Sequence, residues 1–147
     1  GEVPEDKDFL LPIGVSDIKR TGKDVTLVSY SKMIQTTLEA ADQLAQAGIE
    51  AEVIDLRTLR PLDTAPIVDS VRKTNRLVVV EEGWRSYGIG AEIAARVGEL
   101  AFDHLDAPIR RVAQAEVPLP YNKRLEQLAL PQVDDVIKAA KDVLYLK

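Results

Sequence analysis

RLVVVEEGWRSYGIGAEIAARV (residues 76–97) is the stretch that decides how this chain folds. Leu77, Val78, Val79 and Val80 form a short, wholly apolar run rich in β-branched side chains. That is the pattern of a strand covered on both faces, which belongs in a parallel sheet flanked by helices. Glu81, Glu82 and Gly83 are expected to end the strand. Gly88 and Gly90 bracket the start of a helix that sets Ile93, Val97 and Leu100 on one face. Open α/β sheets bind ligands at the carboxyl ends of their strands, so the loop between this strand and its helix is the first place to look for function.

Upstream, the same alternation recurs. VTLVSY (residues 25–30) reads as the first central strand, and residues 50–56 as the next. Between them Ile34, Leu38, Ala41 and Ala45 recur at helical spacing, with Ser29 or Ser31 as the expected cap and Gly48 as the stop. Residues 63–73 are expected to be helical, capped by Asp63 and with Pro66 confined to the first turn, where a missing N–H costs little. Residues 15–20 and 25–30 flank the glycine-containing TGKD turn, which predicts an antiparallel hairpin. Downstream, a loop closed by Pro108 leads to a strand at residues 109–113 and a short helix at 122–128. In the last helix, Val133, Val136, Ile137, Ala140, Val143 and Leu144 line one face, and Asp134 and Asp135 lie in the first turn, where the helix dipole favours anions. The sum is an α/β three-layer sandwich: a mostly parallel sheet of about five strands, one antiparallel strand at an edge, helices on both faces.

Composition bounds the chemistry. A chain of 147 residues, 46% hydrophobic and 29% charged, is long enough for one domain with a real core. The formal net charge of -5 argues against nucleic acid or an anionic membrane as a general partner. With no cysteine and one histidine, disulfides, thiolate zinc sites and cysteine nucleophiles are excluded, and little remains for a metal. No apolar stretch approaches the roughly 20 residues a membrane-spanning helix needs. The chain opens Gly1-Glu2-Val3-Pro4 without an initiator methionine, as an excised domain would. Residues 1–14 read as the end of an interdomain linker and residues 15–147 as the domain.

Three stretches carry a resemblance to a known family: Arg57-Thr58-Leu59-Arg60-Pro61-Leu62-Asp63, Val80-Glu81-Glu82-Gly83-Trp84 with Gly88-Ile89-Gly90-Ala91-Glu92, and Asp106-Ala107-Pro108 followed by Val117-Pro118-Leu119-Pro120-Tyr121. In order and spacing they resemble the transketolase C-terminal domain family, and within it the beta subunits of pyruvate dehydrogenases. Leu11-Pro12-Ile13-Gly14 and Leu130-Pro131-Gln132-Val133 extend the likeness over almost the whole chain. The resemblance implies an α2β2 decarboxylase that uses thiamine diphosphate with magnesium and passes a two-carbon unit to a lipoyl group. It also implies that the thiamine lies between the alpha subunit and an N-terminal domain outside these residues. No catalytic, cofactor or metal residue therefore maps onto this chain, and the domain alone is expected to be inactive and to bind no cofactor.

What the resemblance assigns to the domain is assembly. It implies contacts with the alpha subunit and a second beta subunit, and a docking surface for the basic peripheral subunit-binding domain of a dihydrolipoyl acetyltransferase. Asp106 matches an aspartate used for that docking, and the terminal carboxylate, here on Lys147, stands in the place of a second docking anion. Nucleic acid and membrane are not expected partners. The implied compartment is the cytoplasm in a bacterium and the mitochondrial matrix in a eukaryote.

The residues also have plainer readings. Glu81 and Glu82 are taken as solvated carboxylates near a helix start in preference to an acid/base pair. Gly83, Gly88 and Gly90 turn a loop, because the G-x-G-x-x-G spacing of a phosphate cradle is absent. His104 is read as a surface loop residue, and Arg57 and Arg60 as fixing the strand-to-helix turn by pairing with carboxylates. Trp84 and Tyr87 are interface candidates, with a tucked-in core role as the alternative. Two further functional readings stay open: a branched-chain 2-oxoacid or acetoin dehydrogenase beta subunit, and a free-standing flavodoxin-like module binding a small anion at the strand ends.

Overall fold

The apolar run at residues 77–80 lies where its composition requires, inside the sheet. A computed structural model describes residues 3–146. The elements are β1 (Asp17–Arg20), β2 (Val25–Ser29), α1 (Met33–Gln46), β3 (Ala51–Asp55), α2 (Ala65–Thr74), β4 (Leu77–Trp84), α3 (Ile89–Ala101), a 3-10 turn (Phe102–His104), β5 (Arg110–Gln114), α4 (Lys123–Ala129) and α5 (Val133–Val143). The five-stranded sheet has the order β1-β3-β2-β4-β5. Every neighbouring pair is parallel except β1 with β3, so the antiparallel strand is at an edge as expected.

Alternation along the strands sorts the core into two layers. Val25, Leu27, Val53, Val78 and Val80 face α1 and α5; Val28, Ile54, Leu77 and Val79 face α2 and α3. α5 docks as its sequence predicts, through Val136, Ala140 and Val143, which are buried, and its start is closed by a reciprocal Gln132–Asp135 capping box. Complete burial of Val136 and Val143 stabilises the fold by about 1.5 kcal/mol each.

Several local expectations are corrected. β1 does not form a hairpin with β2, because both edges of β2 are occupied by parallel partners, β3 and β4. The TGKD turn instead crosses the start of β3: Lys23 and Asp24 N–H both donate to the Glu50 carbonyl, and Gly22 lies so close to the Ala51–Glu52 backbone that no side chain would fit. β4 does not end at Glu81; it runs to Trp84, with a register shift against β5 after Val80. Neither serine caps α1, since Ser29 Oγ donates to the Val80 carbonyl and Ser31 sits before the helix at positive φ. Asp63 does not cap α2; its carboxylate accepts the Ser16 N–H and ties the incoming chain to the domain. On α3 it is Ala101, not Leu100, that joins Ile93 and Val97 in the core, while Leu100 is exposed.

Candidate functional site

The strand order places the topological crossover between β2 and β4, where connections leave in opposite directions and such sheets bind their ligands. The crevice is filled from within. Glu81, at the carboxyl end of β4, is 0% exposed. Its Oε2 accepts the Gly90 N–H from the first turn of α3 at 3.0 Å and the Tyr30 hydroxyl at 3.3 Å. Oε1 has no hydrogen-bond partner among the described residues. Burial, and then the facing Glu81 carboxylate, push the Tyr30 phenol up to about 12. The expectation of a solvated carboxylate is therefore wrong for Glu81, and a short polar run after a strand gave no local sign of it.

This carboxylate confines Gly90, and together with the Trp84 carbonyl it confines Gly88. A Cβ on Gly88 would stand 2.9 Å from Glu81 Oε1, and one on Gly90 would collide with the same oxygen and lie 3.1 Å from Glu81 Cδ. The helix N-terminus that could have cradled a phosphate already holds an anion of its own. A diphosphate such as that of thiamine does not fit beside Glu81, where it would meet a buried negative charge. The missed signal was the pairing of glycines seven and nine positions after Glu81, which made room for a side chain rather than for a ligand.

The other singled-out residues lie outside this crevice. Trp84 is half exposed, its indole N–H donating to the Val117 carbonyl at 3.2 Å, and Tyr87 is fully exposed at positive φ. Leu119 and Tyr121 are exposed on the loop that Trp84 holds. Arg57 pairs with Asp17 at 2.6 Å, whereas Arg60 is exposed and makes no ion pair among the described residues. His104 is an exposed residue of the 3-10 turn.

Asp106 is an outward carboxylate on a braced loop. Its side chain is 59% exposed and faces Arg76 Nη2 at 3.6 Å. Its N–H donates to the Asn75 carbonyl at 2.9 Å, and its carbonyl accepts the Tyr145 hydroxyl at 3.1 Å. The structure thus brings Asp106 beside Tyr145, and Lys147 lies outside the described residues. Next to Asp106 a cavity of about 500 Å³ is lined mainly by Phe102, Leu105, Ala107, Pro108 and Ile109. Phe102 is largely exposed there, and the sequence reading had not singled it out.

A mostly parallel five-stranded sheet with one antiparallel edge strand and helices on both faces defines a three-layer α/β domain. The family model for the transketolase C-terminal domain matches residues 14–136, and the chain belongs to that family. It is 56% identical over 140 residues to "Pyruvate dehydrogenase E1 component subunit beta-2, mitochondrial" of Oryza sativa subsp. japonica, covering 95% of this chain and 37% of the relative. It is 52% identical over 144 residues to "Pyruvate dehydrogenase E1 component subunit beta" of Rhizobium meliloti (strain 1021), covering 98% of this chain and 31% of that relative. Among solved structures, a split gene transketolase in an inactive beta4 tetramer superposes with a TM-score of 0.81 at 31% identity, over 99% of this chain and 47% of that one. The chain spans about a third of the length of the two curated relatives. Its homologues are pyruvate dehydrogenase E1 beta subunits, and this membership replaces the flavodoxin-like alternative.

Proposed function

We propose that this domain serves the assembly and docking of a thiamine-dependent pyruvate dehydrogenase, as the C-terminal part of its beta subunit. The observation that carries this reading is identity above 50% across nearly the whole chain to E1 beta subunits from a plant and a bacterium. The full subunit oxidatively decarboxylates pyruvate together with an alpha subunit and a second beta subunit, and the acetyl group passes to a lipoyl acetyltransferase. Thiamine diphosphate and magnesium belong to parts of the enzyme beyond this domain, which by itself is inactive. The compartment is the mitochondrial matrix or the bacterial cytoplasm, according to source. Residues 1–14 are the linker end and residues 15–147 the docking domain.

Asp106 receives the basic subunit-binding domain of the acetyltransferase. Arg76 neutralises Asp106 only in part, because their 3.6 Å contact is long and the Arg76 guanidinium is already committed to the Val143 and Thr74 carbonyls. A carboxylate has lone pairs to spare for a second cation, and the neighbouring apolar groove supplies contact area. Trp84 and Tyr87 lie in the subunit interface. Calorimetric titration of the domain with a purified subunit-binding domain tests this. Asp106→Ala is expected to weaken binding on the order of tenfold, with affinity falling as salt is raised. Unchanged affinity in the variant would sink the assignment of Asp106.

A further inference from the structure

A buried carboxylate with one oxygen unpartnered is a costly feature, and the assembly role does not call for it. Glu81 has no solvent exposure, and its charge is met by one backbone N–H at the start of the 13-residue helix α3, by the positive end of that helix and by the Tyr30 hydroxyl. No cationic side chain pairs with it among the described residues. These are the partners an α/β fold offers a bound anion: a helix N-terminus, a glycine-lined approach and a hydroxyl at the strand crossover. Gly90 has no space for a Cβ because the carboxylate lies against it, and at Gly88 a Cβ would meet the Trp84 carbonyl first and the carboxylate next. The carboxylate therefore sits directly beneath the loop that carries Trp84 and Tyr87.

We infer that Glu81 is an internal ligand: its carboxylate occupies an anion site built into the fold, and the site emptied of it receives a small free carboxylate. The partners on the protein side remain when the Glu81 side chain is shortened. The space that Glu81→Ala releases is that of a carboxylate and one methylene, which suits formate or acetate and excludes a phosphate ester. Occupancy of this site holds the Trp84–Tyr87 loop against the start of α3. The inference concerns the domain's own residues and stands whether or not the docking reading is correct.

Glu81→Ala and Glu81→Gln test it by thermal melting in sodium formate, sodium acetate and sodium chloride at matched ionic strength. Glu81→Ala is expected to melt well below the wild-type protein in chloride and to recover saturably in formate. Beyond half-saturation, each tenfold rise in formate adds about 3–5 °C. Trp84 fluorescence should return toward its wild-type maximum over the same concentrations. The wild-type protein, with its site filled, should show no formate-specific shift. Glu81→Gln, which keeps the shape without the charge, should melt between the two and ignore formate. Formate and chloride acting alike on Glu81→Ala, including failure to fold in either, would overturn the inference. So would a Glu81→Gln protein as stable as the wild type, or an equal formate shift in the wild type.

Discussion

Two carboxylates of this domain, Glu81 and Asp106, show what burial does to a negative charge. Glu81 lies at the carboxyl end of a central strand, without exposure, bonded to the Gly90 N–H and the Tyr30 hydroxyl. Asp106 lies on a loop before the edge strand β5, its side chain 59% exposed and facing a single arginine at 3.6 Å. In the low-dielectric crevice a charge must be met by fixed dipoles, so everything around Glu81 is committed: two glycines, a helix start and a tyrosine. In solvent a carboxylate needs no such fixing, and Asp106 keeps capacity for a partner. The first residue shapes the domain and the second is available to something outside it.

The largest expected effect is at the closed end. Gly90→Ala adds a methyl group where Glu81 Oε1 already lies, and the neighbouring oxygen cannot retreat without losing the Gly90 N–H bond. A loss of about 3 kcal/mol is expected in urea unfolding, the upper part of the usual range for overpacking. A loss below about 0.5 kcal/mol would show that the carboxylate is loosely held and that the contrast with Asp106 is smaller than drawn.

Tyr30→Phe comes next. It removes one hydroxyl from Glu81 and should cost about 1 kcal/mol near neutral pH. The same hydroxyl provides a check in alkali. Because burial and then Glu81 push the folded-state phenol up to about 12, above the ordinary value of 10.0, its contribution is present below pH 10 and is lost as pH rises toward 12. Spectrophotometric titration of the tyrosines should find one phenol ionising late, and Tyr30→Phe should remove it. A late phenol that persists in the variant would assign the shift to another tyrosine.

How much of this was legible in the sequence follows from which forces act locally. β4 could be read because burial on both faces leaves the continuous apolar run Leu77–Val80, β2 and β3 because short segments rich in Val, Ile and Leu stand between helical patterns even with Thr26 and Glu52 inside them, and α5 because its buried stripe and acidic first turn coincide. The partner of β1 was not legible: its neighbour is chosen by which edge of the sheet is free, a property of the finished sheet rather than of the TGKD turn. Ser29 and Asp63 misled as helix caps because each finds a distant partner, the Val80 carbonyl and the Ser16 N–H. The role of Glu81 depends on α3 folding back onto the strand end, which local polarity does not encode. Asp106 stood out through the family likeness alone, and spacing or composition would not have selected it.

The smallest expected effect sharpens the contrast most. Asp106→Ala removes a carboxylate whose only ion pair among the described residues is long and solvent-screened, while the backbone bonds that brace its loop, to Asn75 and from Tyr145, survive the substitution. Its unfolding free energy should stay within about 0.5 kcal/mol of the wild type, as for other exposed pairs. If the domain instead loses several times that amount, the Arg76 contact is holding the loop in place, and weaker partner binding by the variant would then reflect a disordered loop rather than a missing contact. If stability is unchanged while binding falls, the carboxylate is free of any duty within the fold, and its outward position serves the partner.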